Sequence, residues 1–150
     1  MLASIVLASA LLSPPDAECL AKNIYFEARN QSYSGKIAVA HVVLNRVESM
    51  DYPDNVCDVV KQAKLDRNGN PIRHMCQFSW YCDGLSDKPK ELGEWMDSVD
   101  IAREALILWD NGFDITEGSK WYHAKNVKPK WASAFDYVVQ IDDHLFYKDK

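Results

Sequence analysis

Residues 36–49, Lys-Ile-Ala-Val-Ala-His-Val-Val-Leu-Asn-Arg-Val-Glu-Ser, restrict the possible folds more than any other stretch of the chain. Ile37, Ala40, Val43, Leu44 and Val47 recur at helical spacing, and Ala38, Val39 and Val42 widen the apolar stripe until little of the helix is left polar. A helix of that kind has to be surrounded by the rest of the protein. Asn45 and Arg46, near its end, are costly to bury without partners, which suggests that they brace neighbouring loops.

An amphipathic segment precedes it. Over residues 17–29, Leu20, Ala21, Ile24 and Ala28 form one stripe; Asp16 suits the N-cap, and Asn30-Gln31-Ser32 ends the pattern. Glu27 falls beside the stripe, in the last turn. There the negative end of the helix dipole and partial burial both disfavour an ionised carboxylate, and a carboxyl group with a raised pKa can serve as a general acid. The plainer alternative is a solvated glutamate paired with Arg29 or Lys36.

Further along, Val56, Val59, Val60 and Ala63 predict a short helix over residues 55–64. The turn formers Asp66-Arg67-Asn68-Gly69-Asn70-Pro71 predict a hairpin returning over residues 72–80. Residues 92–111 carry the clearest helical pattern, Trp95, Val99, Ala102, Leu106 and Trp109, with Pro89 before it and Gly112 after it. Residues 120–131 read as an aromatic and polar loop. Tyr137, Val139 and Ile141 then alternate, Asp142-Asp143 turns the chain, and His144 to Tyr147 returns. Helices first, with small hairpins interspersed, predict an α+β fold, mainly helical, rather than alternating βαβ units.

At 150 residues and 47% hydrophobic content, one domain with a sizeable core is expected over residues 16–150. Residues 2–12 form an apolar run ended by Ser13-Pro14-Pro15-Asp16. Its length suits a signal-peptide core and is too short for an ordinary membrane span; a buried helix, or a releasable anchor in transient contact with a membrane, are the alternatives. Cys19, Cys57, Cys76 and Cys82 permit three pairings in an oxidising compartment, and Cys76 and Cys82 flank a short loop that a disulfide could close. With no C-x2-C spacing and scattered histidines, neither a metal nor a cofactor is expected. A net charge of -5, with only the small basic cluster Lys125, Lys128 and Lys130, argues against nucleic acid as a partner.

Four clusters mix aromatic rings with polar groups: residues 25–29, 76–80, 121–126 and 144–147. A sugar ring has an apolar face and a rim of hydroxyls, so such clusters suit a glycan groove. Phe78, Trp80 and Phe146 also suit plain core packing, whereas Gln77, Ser79 and His123 are harder to place in a core.

Asn23-Ile24-Tyr25-Phe26-Glu27-Ala28-Arg29, Gly35 to Ala40, Val43-Leu44-Asn45-Arg46-Val47, Cys76-Gln77-Phe78-Ser79, Tyr122-His123-Ala124 with Pro129-Lys130-Trp131, and His144 to Tyr147 together resemble the SleB/CwlJ-type cell-wall hydrolases, which include spore-cortex-lytic enzymes and phage lysins. The resemblance runs from Cys19 to Lys148. It implies a lysozyme-like fold and cleavage of the β-1,4 bond between N-acetylmuramic acid and N-acetylglucosamine in peptidoglycan glycan strands. It also implies an extracytoplasmic enzyme, either the cell's own or a phage lysin exported from the host cytoplasm. Hydrolysis usually needs two carboxyl groups, and Asp83, Asp142 and Asp143 sit in turn sequences, so none is an obvious partner for Glu27. A lytic transglycosylase needs one. The expectation is that Glu27 protonates the leaving oxygen and then takes the proton of the muramoyl 6-hydroxyl. Gln77, Ser79, Tyr122 and His123 would orient the muramic unit, and Phe78 and Trp131 would stack on sugar rings. Tyr25, Asn126, His144 and Phe146 complete the expected binding set. The alternatives are a hydrolytic muramidase or glucosaminidase, with His123 as base for water, and a non-catalytic peptidoglycan-binding protein.

Overall fold

In the computed structural model, which describes residues 13–150, the apolar helix is the centre of the molecule. The run at residues 2–12, with the signal peptide or membrane contact expected of it, lies outside the described residues. Helix α1 (Pro14–Ala28), α2 (Tyr33–Glu48), the short α3 (Val56–Val60) and α4 (Leu92–Asp110) form the helical body. Ala38, Val39, Ala40, Val42, Val43 and Leu44 of α2 have no exposed surface, and α4 packs across both α1 and α2.

The caps explain where the helices start. Ser13 Oγ accepts from the Asp16 N–H at 3.3 Å, and Pro14 and Pro15 occupy the first turn. The helix therefore begins earlier than the expected cap at Asp16. That frees the Asp16 carboxylate to accept from the Cys57 N–H at 3.0 Å, in the first turn of α3. Ser32 caps α2, its side chain accepting from the Gly35 N–H at 3.3 Å, and its own N–H donates to Asp142 at 2.8 Å. A Cβ at Gly35 would meet that Asp142 carboxylate at 2.5 Å, so only glycine lets the later turn dock here.

The third helix ends at Val60, short of the expected Lys64, because Ala63–Leu65 pairs instead as strand β1 with β2 (Pro71–Cys76). Asp66 stabilises the hairpin turn, accepting from the Asn68 and Asn70 N–H groups at 2.8 and 3.0 Å. The return strand stops at Cys76, and Ser79–Cys82 winds into a 3-10 turn closed by the Cys76–Cys82 disulfide. Cys19–Cys57 ties α1 to α3.

The remaining strands, β3 (Trp121–Ala124), β4 (Asp136–Ile141) and β5 (His144–Lys148), form an antiparallel sheet in the order β3-β5-β4. The stretch around Tyr122 is thus a strand where the sequence suggested a loop. Tyr122 pairs with Phe146, which is fully buried against Ala38 and Val42 of α2. The architecture is α+β: a helical body flanked by a small hairpin and a three-stranded sheet.

Candidate active site

Glu27 sits in the last turn of α1, where the helical body, the hairpin and the sheet meet. Tyr122, on β3, donates its hydroxyl to Glu27 Oε1 at 3.0 Å. Burial pushes the Glu27 carboxyl above its ordinary pKa; the Tyr122 hydrogen bond and the positive charge of Arg46 oppose this without cancelling it. The cations that could have made Glu27 an ordinary surface group are engaged elsewhere: Arg29 meets Glu94 at 3.7 Å and Lys36 meets Asp97 at 2.8 Å. Burial, followed by the Glu27 charge, also raises the Tyr122 phenol well above its usual range, so it remains a donor.

Glu27 opens into a cleft of about 420 Å³ lined by Arg46, Cys76, Gln77, Phe78, Trp121, Tyr122, Trp131 and Phe135. The hairpin end supplies Gln77 and Phe78 as one wall; β3 and the 3-10 turn Lys130–Ala134 supply the aromatic wall, with Trp121 and Phe135 stacked at 3.7 Å. Arg46 reaches between the walls from α2, donating Nε–H to the Lys120 carbonyl at 2.7 Å and Nη1–H to Gln77 Oε1 at 3.4 Å. Its neighbour Asn45 braces the segment leading to β3, donating to Asp114 at 2.7 Å and to the Ser119 carbonyl at 2.9 Å.

Of the residues singled out from sequence, Glu27, Gln77, Phe78, Tyr122 and Trp131 are brought together in this cleft. The others do not line it. Tyr25 is buried, and its hydroxyl accepts the Lys90 and Glu91 N–H groups at 3.2 Å each, just before α4. Ser79 opens the 3-10 turn, and Asn126 lies exposed in the turn after β3. His123 points to the opposite face of the sheet from Tyr122, its Nε2 2.8 Å from Tyr147 Oη and its ring edge-on to Trp131. His144 packs edge-on to Tyr122, and burial lowers its pKa. Phe146 is core. Asp142 and Asp143 dock at the start of α2, and Asp83 lines a separate groove. Sequence reasoning missed Trp121 and Phe135 and read Arg46 as a brace only. A charged residue in an otherwise apolar helix was the available signal for Arg46.

A buried, helix-closing glutamate with a raised pKa thus faces an aromatic-walled cleft in an α+β frame. Residues 30–147 match the profile of the cell wall hydrolase family, and the chain belongs to that family. It is similar in structure to the catalytic domain of the germination-specific lytic transglycosylase SleB from Bacillus anthracis, at 27% identity and a TM-score of 0.68, covering 91% of this chain and 97% of that one. The catalytic domain of Bacillus cereus SleB is also similar, with 26% identity and a TM-score of 0.63 over 91% of each chain. In sequence, the chain is 29% identical over 137 residues to the spore cortex-lytic enzyme of Oceanobacillus iheyensis, matching 91% of this chain and 42% of that protein. The spore cortex-lytic enzyme of Bacillus subtilis is 28% identical over 132 residues, 87% of this chain and 37% of that protein. The chain spans less than half the length of these curated relatives.

Proposed function

We propose that this chain is a peptidoglycan-degrading lytic transglycosylase with Glu27 as its single acid and base. The observation that carries this reading is that Glu27 is the one carboxyl group among the described residues lining the cleft, and burial holds it towards its protonated form. The family match begins three residues after Glu27, so the role rests on geometry. Hydrolysis through a covalent intermediate or an activated water usually uses two flanking carboxyl groups. Here one suffices.

Glu27 gives its proton to the oxygen joining muramic acid C1 to glucosamine C4, and that C1–O bond breaks. The muramoyl 6-hydroxyl then bonds to C1 while its proton returns to the Glu27 carboxylate. The product carries a 1,6-anhydro end, no water is consumed, and the acid is restored. Tyr122 keeps Glu27 aimed at the bond, Gln77 supplies an amide to the sugar rim, and Trp131 offers an apolar face, while Phe78, only 3% exposed and part of the core with Arg46 over its ring, backs the cleft instead of stacking on a sugar. His123 would be the base for a hydrolytic alternative, but its ring nitrogen is turned to Tyr147 instead.

The substrate in this reading is the glycan strand of peptidoglycan outside the cytoplasm, an oxidising setting that suits two disulfides. The run at residues 2–12 serves in this reading as an export segment or anchor, and the catalytic domain takes in Ser13, Pro14 and Pro15, which cap and open α1. The test is digestion of purified peptidoglycan with mass analysis of the soluble products. Anhydro-muropeptides are expected from the protein and none from Glu27→Gln. Reducing ends without anhydro products would overturn the transglycosylase assignment.

A further inference from the structure

Arg46 is only 4% exposed, yet no carboxylate among the described residues lies within ion-pair distance of it. Its neighbours are the Lys120 carbonyl, Gln77, the rings of Tyr52 and Phe78 at 5.1 and 5.3 Å, and, through the cleft, Glu27 and Tyr122. A loop brace could be built from a neutral amide. Burying a whole positive charge without a counter-charge is costly, and here only part of the guanidinium fork is used by the protein. Arg46 lines the cleft that holds Glu27, and its Nη2 has no hydrogen-bond partner among the described residues.

We infer that the free edge of Arg46 receives the lactyl carboxyl group by which muramic acid differs from glucosamine; this rests on the peptidoglycan reading above. The two sugars share the acetamido group and differ only at O3, a free hydroxyl in glucosamine and a lactyl ether in muramic acid. Only the lactyl arm presents carboxyl-derived oxygen to a planar fork of N–H donors, the geometry a guanidinium matches best. In peptide-free strands that group is a carboxylate; in peptide-bearing strands it is an amide carbonyl. Arg46 thereby places a muramoyl unit, rather than a glucosaminyl unit, beside Glu27, and so selects which of the two alternating bonds is cut.

The test uses calorimetric titration of the Glu27→Gln protein, which does not turn over its ligand. The ligands are a peptide-free muramic acid–glucosamine tetrasaccharide, the same tetrasaccharide with its lactyl carboxyls reduced to alcohols, and chitotetraose. The carboxylate form is expected to bind about ten-fold or more tightly than either of the others, the gain of a hydrogen bond to a charged group. Adding Arg46→Lys, which keeps the charge and loses the fork, should remove most of that preference, and Arg46→Gln should remove it entirely. Peptide-bearing tetrasaccharide should fall between the carboxylate and the alcohol. Equal affinity for the carboxylate and its reduced form would overturn the assignment, and that comparison needs no Arg46 variant to fold. If the three glycans bind equally, the Arg46 assignment alone fails. If none binds, the peptidoglycan reading fails with it.

Discussion

In the role proposed for it, Glu27 needs a pKa close to its working pH, and two opposed influences set that pKa. Burial raises the pKa; the Tyr122 hydroxyl and the Arg46 charge pull it back. Glu27→Gln should therefore cost about 10²–10⁴-fold in kcat, the usual worth of a positioned acid or base, measured as anhydro-muropeptide release. Tyr122→Phe removes a hydrogen bond that favours the ionised form, so the Glu27 pKa rises further. Activity as an acid is lost when Glu27 deprotonates, so the alkaline limb of the kcat/KM profile should move to higher pH in Tyr122→Phe; an unmoved limb would separate Tyr122 from Glu27. Stability carries the same sign. A group whose folded pKa is raised favours the folded state at low pH, and that advantage disappears as pH rises from the unfolded value through the folded one. Glu27→Gln should accordingly match the parent in thermal stability under acid conditions and exceed it above that window. At this scale, residue type and neighbourhood point to Gln77 and leave Glu27 and Phe78 between two readings each; the family resemblance supplies the roles expected of Glu27, Phe78, Tyr122 and Trp131. His123, His144 and Phe146 share those neighbourhoods but not the cleft. Alternation along β3 separates His123 from Tyr122 but not from Trp121, which shares its face and lines the cleft; His123 is engaged instead by Tyr147 and the Ala124 carbonyl, while His144 and Phe146 lie on the Tyr122 side of the sheet, packed beneath it.

The elements place these side chains through a few joints, and two of the joints can be tested. The segment between α4 and β3 is held by Asp114, whose carboxylate accepts from Thr116 N–H at 2.8 Å, Thr116 Oγ1 at 2.7 Å, Asn45 at 2.7 Å and Gly118 N–H at 2.7 Å. Burial raises its pKa, but the hydrogen bonds from His41, Thr116, Asn45 and the Gly118 N–H outweigh burial and hold it well below the usual carboxylate range. A depressed folded pKa contributes stability that is present above the unfolded value near 4 and is lost as pH falls. Asp114→Ala should cost about 1–3 kcal/mol at neutral pH, for donors left without an acceptor, and progressively less in acid, read from denaturant unfolding at several pH values. The disulfides form the second pair of joints. By chain entropy, Cys19–Cys57, which closes 38 residues, is worth about 4 kcal/mol, and Cys76–Cys82, which closes 6, about 2 kcal/mol. Paired serine substitutions should lower the melting temperature in that order, while activity falls more in the Cys76/Cys82 pair because Gln77 and Phe78 lie inside its loop. The long helices were legible in the sequence because their apolar periodicity and caps are local. Strand β3 was not: its four residues owe their conformation to β5, some twenty positions later, and Ala63 left its helical pattern for the same reason, to pair with Cys76.

Taken whole, the molecule separates its charge. The chain carries -5, yet the hairpin region 61–76 holds Lys61, Lys64, Arg67 and Arg73 against Asp66 alone, and residues 120–134 hold Lys120, Lys125, Lys128 and Lys130 with no acidic residue. These are the two segments that lead into the cleft walls, at Cys76 and Gln77 on one side and at Trp121, Trp131 and Phe135 on the other. The acidic excess is left to the helical body. Lys120 and Lys125 are neutralised locally by Asp149 and Asp143, at 2.6 and 3.0 Å, which leaves Lys128 and Lys130 as the cations without an ion-pair partner among the described residues of that segment. If the proposed glycan substrate holds, cations in these segments would speed its approach through its carboxylates while adding little once the sugars are seated. Exposed charges are screened within about 8 Å at 0.15 M salt, whereas Glu27 and Arg46 are buried and much less affected. Raising ionic strength from about 0.02 to 0.3 M should therefore increase the KM for stem-peptide-bearing glycan several-fold and leave kcat nearly unchanged. Lys128→Gln combined with Lys130→Gln should flatten that salt dependence without moving the pH profile. A kcat that fell together with the KM effect would place the salt-sensitive charges at the reacting bond, not at the mouth of the cleft.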